Sequence, residues 1–167
     1  MLRGLPPLIA PTTRVLILGS FPGVISLQTQ QYYGHPQNHF WKLVFSLVSP
    51  SSRQEICASS YDIRSNALLT HGIGCWDVYA SCEREGSLDS AIRNTTLNDL
   101  ASLKQRCPNL QAIAHNGGES YSHIKHTQAL GLPVYKLPSS SPANASWSFE
   151  RKLTAWQEAL TPHLKPS

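Results

Sequence analysis

Apolar positions along the chain fall into short blocks that alternate between a strand-like and a helix-like period. Arg14–Leu18 (Arg-Val-Leu-Ile-Leu) is an unbroken aliphatic run, read as a strand buried on both faces. It stops at Gly19, and a Pro22-Gly23 turn follows within the long loop Gly19–Pro36. Phe40, Trp41, Val44, Phe45 and Val48 then recur at helical spacing, which predicts an amphipathic helix over Gln37–Val48, stopped by Pro50. A second helical stretch spans Ser52–Leu69, with Ile56, Ile63, Ala67 and Leu68 as its apolar members. Gly72–Tyr79 reads as a short strand, and Ser81–Ile92 as a loop turning into a short helix.

The second half alternates more clearly. A helix over Asn98–Arg106 precedes a buried strand over Leu110–His115, and Asn116-Gly117-Gly118 turns into a helix from Glu119 to Leu130. Pro133–Leu137 is a further strand, and Ser148–Leu160 closes the chain as a helix with Phe149, Leu153, Trp156 and Leu160 on one face. Strands alternating with helices predict an α/β fold with a parallel sheet covered on both faces, in one domain over residues 1–167 with an extended, proline-rich lead-in over 1–13. Three polar turns, Gly19–Gly23, His115–Gly118 and Pro138–Asn144, then fall at strand C-terminal ends, where open parallel sheets bind ligands. Two of them lead into helix N-termini, whose free N–H groups favour anions.

Composition narrows the class. The formal charge is +4 and the pI about 9.0, a balance that permits a nucleic-acid partner without demanding one. Arg84, Arg93, Arg106 and Lys125 are scattered along the chain. No apolar run approaches the ~18 residues of a membrane span, and Pro6, Pro7 and Pro11 interrupt any secretory leader, so a cytoplasmic protein with no membrane contact is expected. Cys57, Cys75, Cys82 and Cys107 lack ligand spacing and read as reduced thiols, with no metal and no cofactor.

Three stretches carry a resemblance: Gly19-Ser-Phe-Pro-Gly23, His35-Pro-Gln-Asn-His-Phe-Trp-Lys42 and Leu137-Pro-Ser-Ser-Ser-Pro-Ala-Asn144 are similar to the motifs of the uracil-DNA glycosylase superfamily. Within it they most resemble the hypoxanthine-DNA glycosylase branch, as does Gly72–Ser90 with Trp76-Asp77-Val78 and Gly86-Ser-Leu-Asp-Ser90. The resemblance implies a three-layer α/β/α fold around a four-stranded, mainly parallel sheet. It also implies an enzyme that flips a deaminated base, foremost hypoxanthine, from double- or single-stranded DNA and hydrolyses its N-glycosidic bond as a monomer, associated with the nucleoid when acting. The mismatch-specific uracil branch holds an Asn at the third position of the first motif, where this chain has Phe21. The hypoxanthine branch uses the Asn of His-Pro-x-Asn, which is Asn38 here, as its catalytic residue. Tyr33 matches the aromatic that stacks on the flipped base, and the last motif matches the loop that enters the duplex.

On this reading Gly19, Ser20, Phe21, Pro22, Gly23, Tyr33, His35, His115 and Asn116 form the base pocket. Ser26, Gly117, Gly118, Ser139, Ser140, Ser141, Pro142 and Asn144 contact DNA. Aromatic stacking by Tyr33 or Phe21 contributes ~1–3 kcal/mol. Alternatives remain at several positions. Asn38 can instead cap its helix, and His115 with Asn116 can form a purely structural turn. Asp62, Asp77 and Asp89 read as caps or surface charges. Lys42 and Lys136 do not head a pocket motif, which argues against strand-nicking Schiff-base chemistry. Uracil or xanthine as main substrate, and a non-catalytic nucleic-acid-binding module on the same sheet, are the competing functions.

Overall fold

The computed structural model of the protein describes residues 1–164. Short strand β1 (Leu2–Arg3) opens the chain, so the lead-in is tied down rather than loose, and Leu8 bridges to Cys75 further along it. Strand β2 (Val15–Gly19) is buried at every position, as its unbroken aliphatic run requires. The loop after it contains a short helix, α1 (Val24–Thr29), which the sequence pattern does not show because its buried member is Ser26 while the apolar Val24 is exposed. Helix α2 (Phe40–Val48) begins later than the periodicity indicates, since Asn38 holds its first turn from outside. The stretch read as one helix over Ser52–Leu69 is two, α3 (Arg53–Cys57) and α4 (Tyr61–Thr70); Ser60 breaks them apart by capping Ile63 with its hydroxyl.

Gly72–Tyr79 likewise divides. Strand β3 (Ile73–Asp77) belongs to the main sheet, whereas β4 (Tyr79–Glu83) pairs with β1 and with β5 (Arg93–Leu97) in a small antiparallel sheet. Strand β5 is exposed along its whole length, so no apolar alternation announces it. A single 3-10 turn over Asp89–Ala91 replaces the short helix expected there, and α5 is confined to Leu103–Arg106. Strand β6 (Ala112–Asn116) leads into α6 (Gly118–Tyr121) and α7 (Ile124–Gln128), two short helices in place of the single one the sequence predicts. Strand β7 (Val134–Leu137) and helix α8 (Phe149–Leu160) complete the chain, with Ser148 capping α8 through Arg151 N–H.

The main sheet has the order β3-β2-β6-β7 and every pairing in it is parallel. Residues of β2 alternate between two cores. Val15 and Ile17 pack with Phe40, Leu43, Val44, Leu68 and Trp156 from α2, α4 and α8. Leu16 and Leu18 pack with Trp76, Val78, Leu100, Leu103 and Ile113 on the other side, beneath the small sheet and α5. The architecture is therefore a three-layer α/β/α one. Connections leave β2 toward β3 on one side and β6 toward β7 on the other, so the crevice outside Gly19 and Asn116 is a topological switch point.

Candidate active site

A cavity of about 1060 Å³ opens at that crevice. Its wall contains Asn38, all of Gly19–Gly23, Ser26, Tyr33, His35, Asn116–Gly118, Ser139–Ser141, Pro142 and Asn144, so the three motif turns meet in one place. His115 is the exception. Its ring is fully buried, with Nδ1 2.8 Å from Ser120 Oγ and Nε2 2.8 Å from Thr127 Oγ1. Burial lowers its pKa to about 4, and positive charge on His123 pushes the same way. Its role is to fasten α6 and α7 to β6, not to line a base pocket.

Asn116 joins the motifs mechanically. Its Nδ2 donates to Tyr33 Oη at 3.2 Å and to Ser140 Oγ at 2.9 Å, and its Oδ1 accepts the Ser140 N–H at 3.0 Å. Ser140 is buried, which removes it from direct contact with DNA; Ser139 and Ser141 remain half-buried at the mouth. Gly117 has φ 98°, and a Cβ there would meet Ser139 Cβ at 3.2 Å, so only glycine allows the last motif to close over β6. Ser26 is also buried, with its hydroxyl accepting the Gly34 N–H, which makes it a brace of the loop rather than a phosphate contact. Lys152, 1% exposed on α8, places Nζ 3.4 Å from Ser141 O and 3.3 Å from His39 Nδ1. With the His39 N–H to Ser140 O bond, it ties the last motif to the start of α2.

Tyr33 is stacked on Phe40 at 3.9 Å between ring centroids, nearly parallel at 16°. Its backbone occupies the left-handed region at φ 53°, a conformation that costs a tyrosine ~1–3 kcal/mol and is held by these contacts. Phe21 behaves differently from the stacking expectation. It is buried in the second core, and the Arg84 guanidinium lies over its ring at 5.3 Å. Of the two aromatics, Tyr33 is the one packed in the first core, on the side of α2, and both line the cavity.

Asn38 stands just ahead of α2, whose N-cap is His39, and it lines the cavity wall. Its Oδ1 accepts the Phe40 N–H at 2.9 Å, a cap that fixes the amide plane, while its Nδ2 has no hydrogen-bond partner among the described residues. The carbonyl oxygen keeps a second lone pair and the amide keeps both its donors, in a side chain that lines the cavity. His35, exposed, accepts the Gln37 N–H on Nδ1 and so shapes the same loop.

One group on the cavity wall contradicts its sequence reading. Asp77, expected as a cap or surface charge, is 5% exposed and lines the cavity floor beside Gly19, its partner in register. Its Oδ2 is buried with no hydrogen-bond partner. Burial raises its pKa to about 7, assisted by the charge of Asp89 and opposed by Arg84. The signal was its place at the C-terminal end of a strand, the same position that marks Gly19 and Asn116. Asp89, also read as a cap or surface charge, accepts a 2.6 Å hydrogen bond from Ser20 Oγ. Asp62 is exposed in the first turn of α4, as a surface charge.

A second groove of about 1220 Å³ runs from the cavity and shares Tyr33, His35, Asn38, Pro142, Asn144 and Trp147 with it. Lys42, Arg53, Arg64 and Lys152 line it together with Phe149 and Trp147, and no carboxylate does. The scattered cations of the sequence lie elsewhere: Arg84 donates to Pro22 O and Gly86 O, and Arg106 lies over Trp76. Lys136 forms part of the base-cavity wall, with its ammonium 5.4 Å from the Tyr121 ring centroid. All four cysteines are free. No helix among the described residues is long and apolar enough to cross a membrane.

Comparison with known proteins places this geometry. The chain is 38% identical over 158 residues to a hypoxanthine DNA glycosylase of Methanosarcina barkeri, an alignment covering 95% of this chain and 97% of that one. It is 36% identical over 155 residues to a protein of the same name from Methanosarcina acetivorans, across 93% and 95% of the two chains. A solution NMR structure from M. acetivorans, described as a candidate uracil DNA glycosylase, superposes with a TM-score of 0.82 at 36% identity, covering 93% of this chain and 94% of that one. The profile of the Uracil DNA glycosylase superfamily matches residues 6–160. The chain belongs to the uracil DNA glycosylase superfamily.

Proposed function

We propose that the protein is a monofunctional DNA glycosylase whose main substrate is hypoxanthine in DNA. The observation that carries this is the end-to-end likeness to two hypoxanthine DNA glycosylases, with the cavity gathering every motif turn around Asn38. A cavity of about 1060 Å³ holds an extruded nucleoside together with its flanking phosphates. The base lies against Tyr33 in the cavity, a water bound to the free lone pair of Asn38 Oδ1 attacks C1′, and the glycosidic electron pair leaves with the purine. The water gives up one proton and the departing base gains one, so the products are free hypoxanthine and an abasic sugar. The basic groove beside the cavity carries the phosphates of the flanking strand, and one protomer with one cavity suffices.

The test is release of base from duplexes and single strands carrying one deoxyinosine, uracil or xanthine, with abasic sites revealed by alkali. Deoxyinosine is expected to be processed fastest, and Asn38→Ala to lower release by ~10²–10³ while the fold persists. Release from uracil alone would replace hypoxanthine by the substrate class in the description of the NMR relative. Strand breaks without alkali, or trapping by borohydride, would refute the monofunctional assignment.

A further inference from the structure

Lys152 is 1% exposed, yet it lines the basic groove beside the cavity. An ammonium carries three donors, and this one has two acceptors, both at long range: Ser141 O at 3.4 Å and His39 Nδ1 at 3.3 Å. Charge-assisted bonds that satisfy an ammonium are ~2.7–2.9 Å long. Among the described residues no carboxylate pairs with it, and burial lowers its pKa with no neighbouring anion opposing. A buried lysine without a counter-charge is costly and rare in native proteins. One that lines a groove is accounted for by an anion that enters the groove.

Other donors converge on the same place. Phe149, one turn before Lys152 on α8, has the Lys42 ammonium 4.4 Å and the Arg53 guanidinium 6.0 Å from its ring centroid. The His39 ring stands edge-on to Phe149 at 5.4 Å. His39 is held in one tautomer: Nδ1 faces the Lys152 ammonium and must accept there, so the ring proton sits on Nε2. Among the described residues Nε2 has no hydrogen-bond partner, and the half-buried ring lines the groove. Burial, Lys152 and Lys42 lower the pKa of this ring, and Glu150 opposes them, so it donates while neutral. His39 also follows Asn38 directly and gives its N–H to Ser140 O. An anion seated here is therefore placed relative to the Asn38 amide through a single peptide link.

We propose that Lys152, Lys42 and His39 Nε2 seat one backbone phosphate of the damaged strand beside Asn38, and that this phosphate is the counter-ion the buried ammonium lacks. The inference deepens the base-excision reading above and rests on it. A phosphodiester fits the donor set, since its non-bridging oxygens share one negative charge between the ammonium pair and the imidazole N–H. Lys42 is exposed, so salt weakens its pull, whereas the buried Lys152 is screened less. The seat fixes register as well as affinity, because a phosphate contact sets where the strand lies without reading its sequence. Held there, the strand brings the sugar of the extruded nucleotide to the Asn38 amide. Inorganic phosphate shares the same charge, and the experiment separates the two sources.

The experiment measures, by fluorescence anisotropy, the affinity of the full chain for a duplex bearing a tetrahydrofuran abasic analogue, which binds without being cleaved. A neutral methylphosphonate replaces one phosphate at a time on either strand. Wild type should lose about 10- to 100-fold at one linkage of the damaged strand beside the analogue, the range for a lost charged hydrogen bond. Lys152→Met keeps the length of the side chain and removes its charge. In that variant the penalty at the same linkage should shrink to about twofold or less, with the penalties elsewhere kept. Lys42→Met, at an exposed position, should shrink the same penalty in part and keeps the seat testable if Lys152→Met fails to fold. Identical linkage profiles in wild type and every folded variant would overturn the proposal, and so would a coupled linkage on the undamaged strand. A separate arm exchanges chloride for inorganic phosphate at equal ionic strength. A melting temperature raised in wild type but not in Lys152→Met, beside identical linkage profiles, would make this a site for free anions and overturn its assignment to DNA. Wild type that shows the coupled linkage but releases neither hypoxanthine, uracil nor xanthine would remove the base-excision reading alone. Wild type that binds no duplex refutes both.

Discussion

Replacing Asn116 by alanine gives the sharpest test of how the site is assembled. The side chain makes three hydrogen bonds that join the end of β6 to Tyr33 and to the last motif. Truncation leaves the buried Ser140 N–H without its acceptor, at ~1–3 kcal/mol, and removes two neutral bonds worth ~0.5–1.5 kcal/mol each. The three terms are not additive, and about 3 kcal/mol is the expected loss. For a chain of 167 residues that lowers Tm by roughly 6–12 °C, read by circular dichroism and checked by urea titration. Ser140→Ala, which removes a single hydroxyl, serves as the internal scale at ~1 kcal/mol. Base release should fall further than stability alone explains at a temperature where both proteins are folded, because the left-handed Tyr33 backbone loses a restraint. A loss below about 0.5 kcal/mol would mean that water replaces the amide and that Asn116 rivets nothing.

Three further outcomes follow from the geometry. Gly19→Ala pushes a methyl against Asp77 and Tyr33, and overpacking of ~1–3 kcal/mol at the cavity should cut kcat/KM about 10- to 100-fold with the fold retained; a wild-type rate would show that the floor yields freely. Lys42→Glu and Arg53→Glu should weaken DNA binding across sequences and make the log Kd against log salt slope shallower by about one for each phosphate no longer neutralised, whereas an unchanged slope would take the strand out of that groove. His115 is neutral in the fold with a pKa of about 4, below its ordinary 6.5, so its contribution is complete above about pH 6.5 and is lost as pH falls toward 4. Unfolding free energies from urea titration should drop across that window by up to ~3 kcal/mol, and His115→Gln should flatten the acid limb; equal slopes would place the titrating group elsewhere.

Much of the fold is legible in the sequence because burial writes itself into period. The four strands of the main sheet carry aliphatic runs or sit between turn residues, and α2 and α8 show their apolar faces. Strand β5 and helix α1 are not legible, since one is exposed and the other is short with a buried Ser26 and an exposed Val24, leaving no pattern to read. The site follows the same division. Turns with glycine and proline announce themselves, which is why Gly19–Gly23 and Pro138–Asn144 stand out. Asp77 does not, because a carboxylate between Trp76 and Val78 looks like a surface charge until the sheet order sets β3 beside β2. His115 misleads for the converse reason: it precedes Asn116 at the same strand end, but the alternation of a strand sends neighbouring side chains to opposite faces.

The tether made by Lys152 bears on how such a protein searches. The last motif is fastened to α2 and α8 before any DNA arrives, through a buried ammonium, the His39 N–H and the Asn116 amide. Its chain entropy is surrendered once, during folding, and not again at each encounter with the duplex. Probing a base pair then asks only for distortion of the DNA. A rigid loop of this kind suits brief, repeated sampling along a helix in which almost every base is sound.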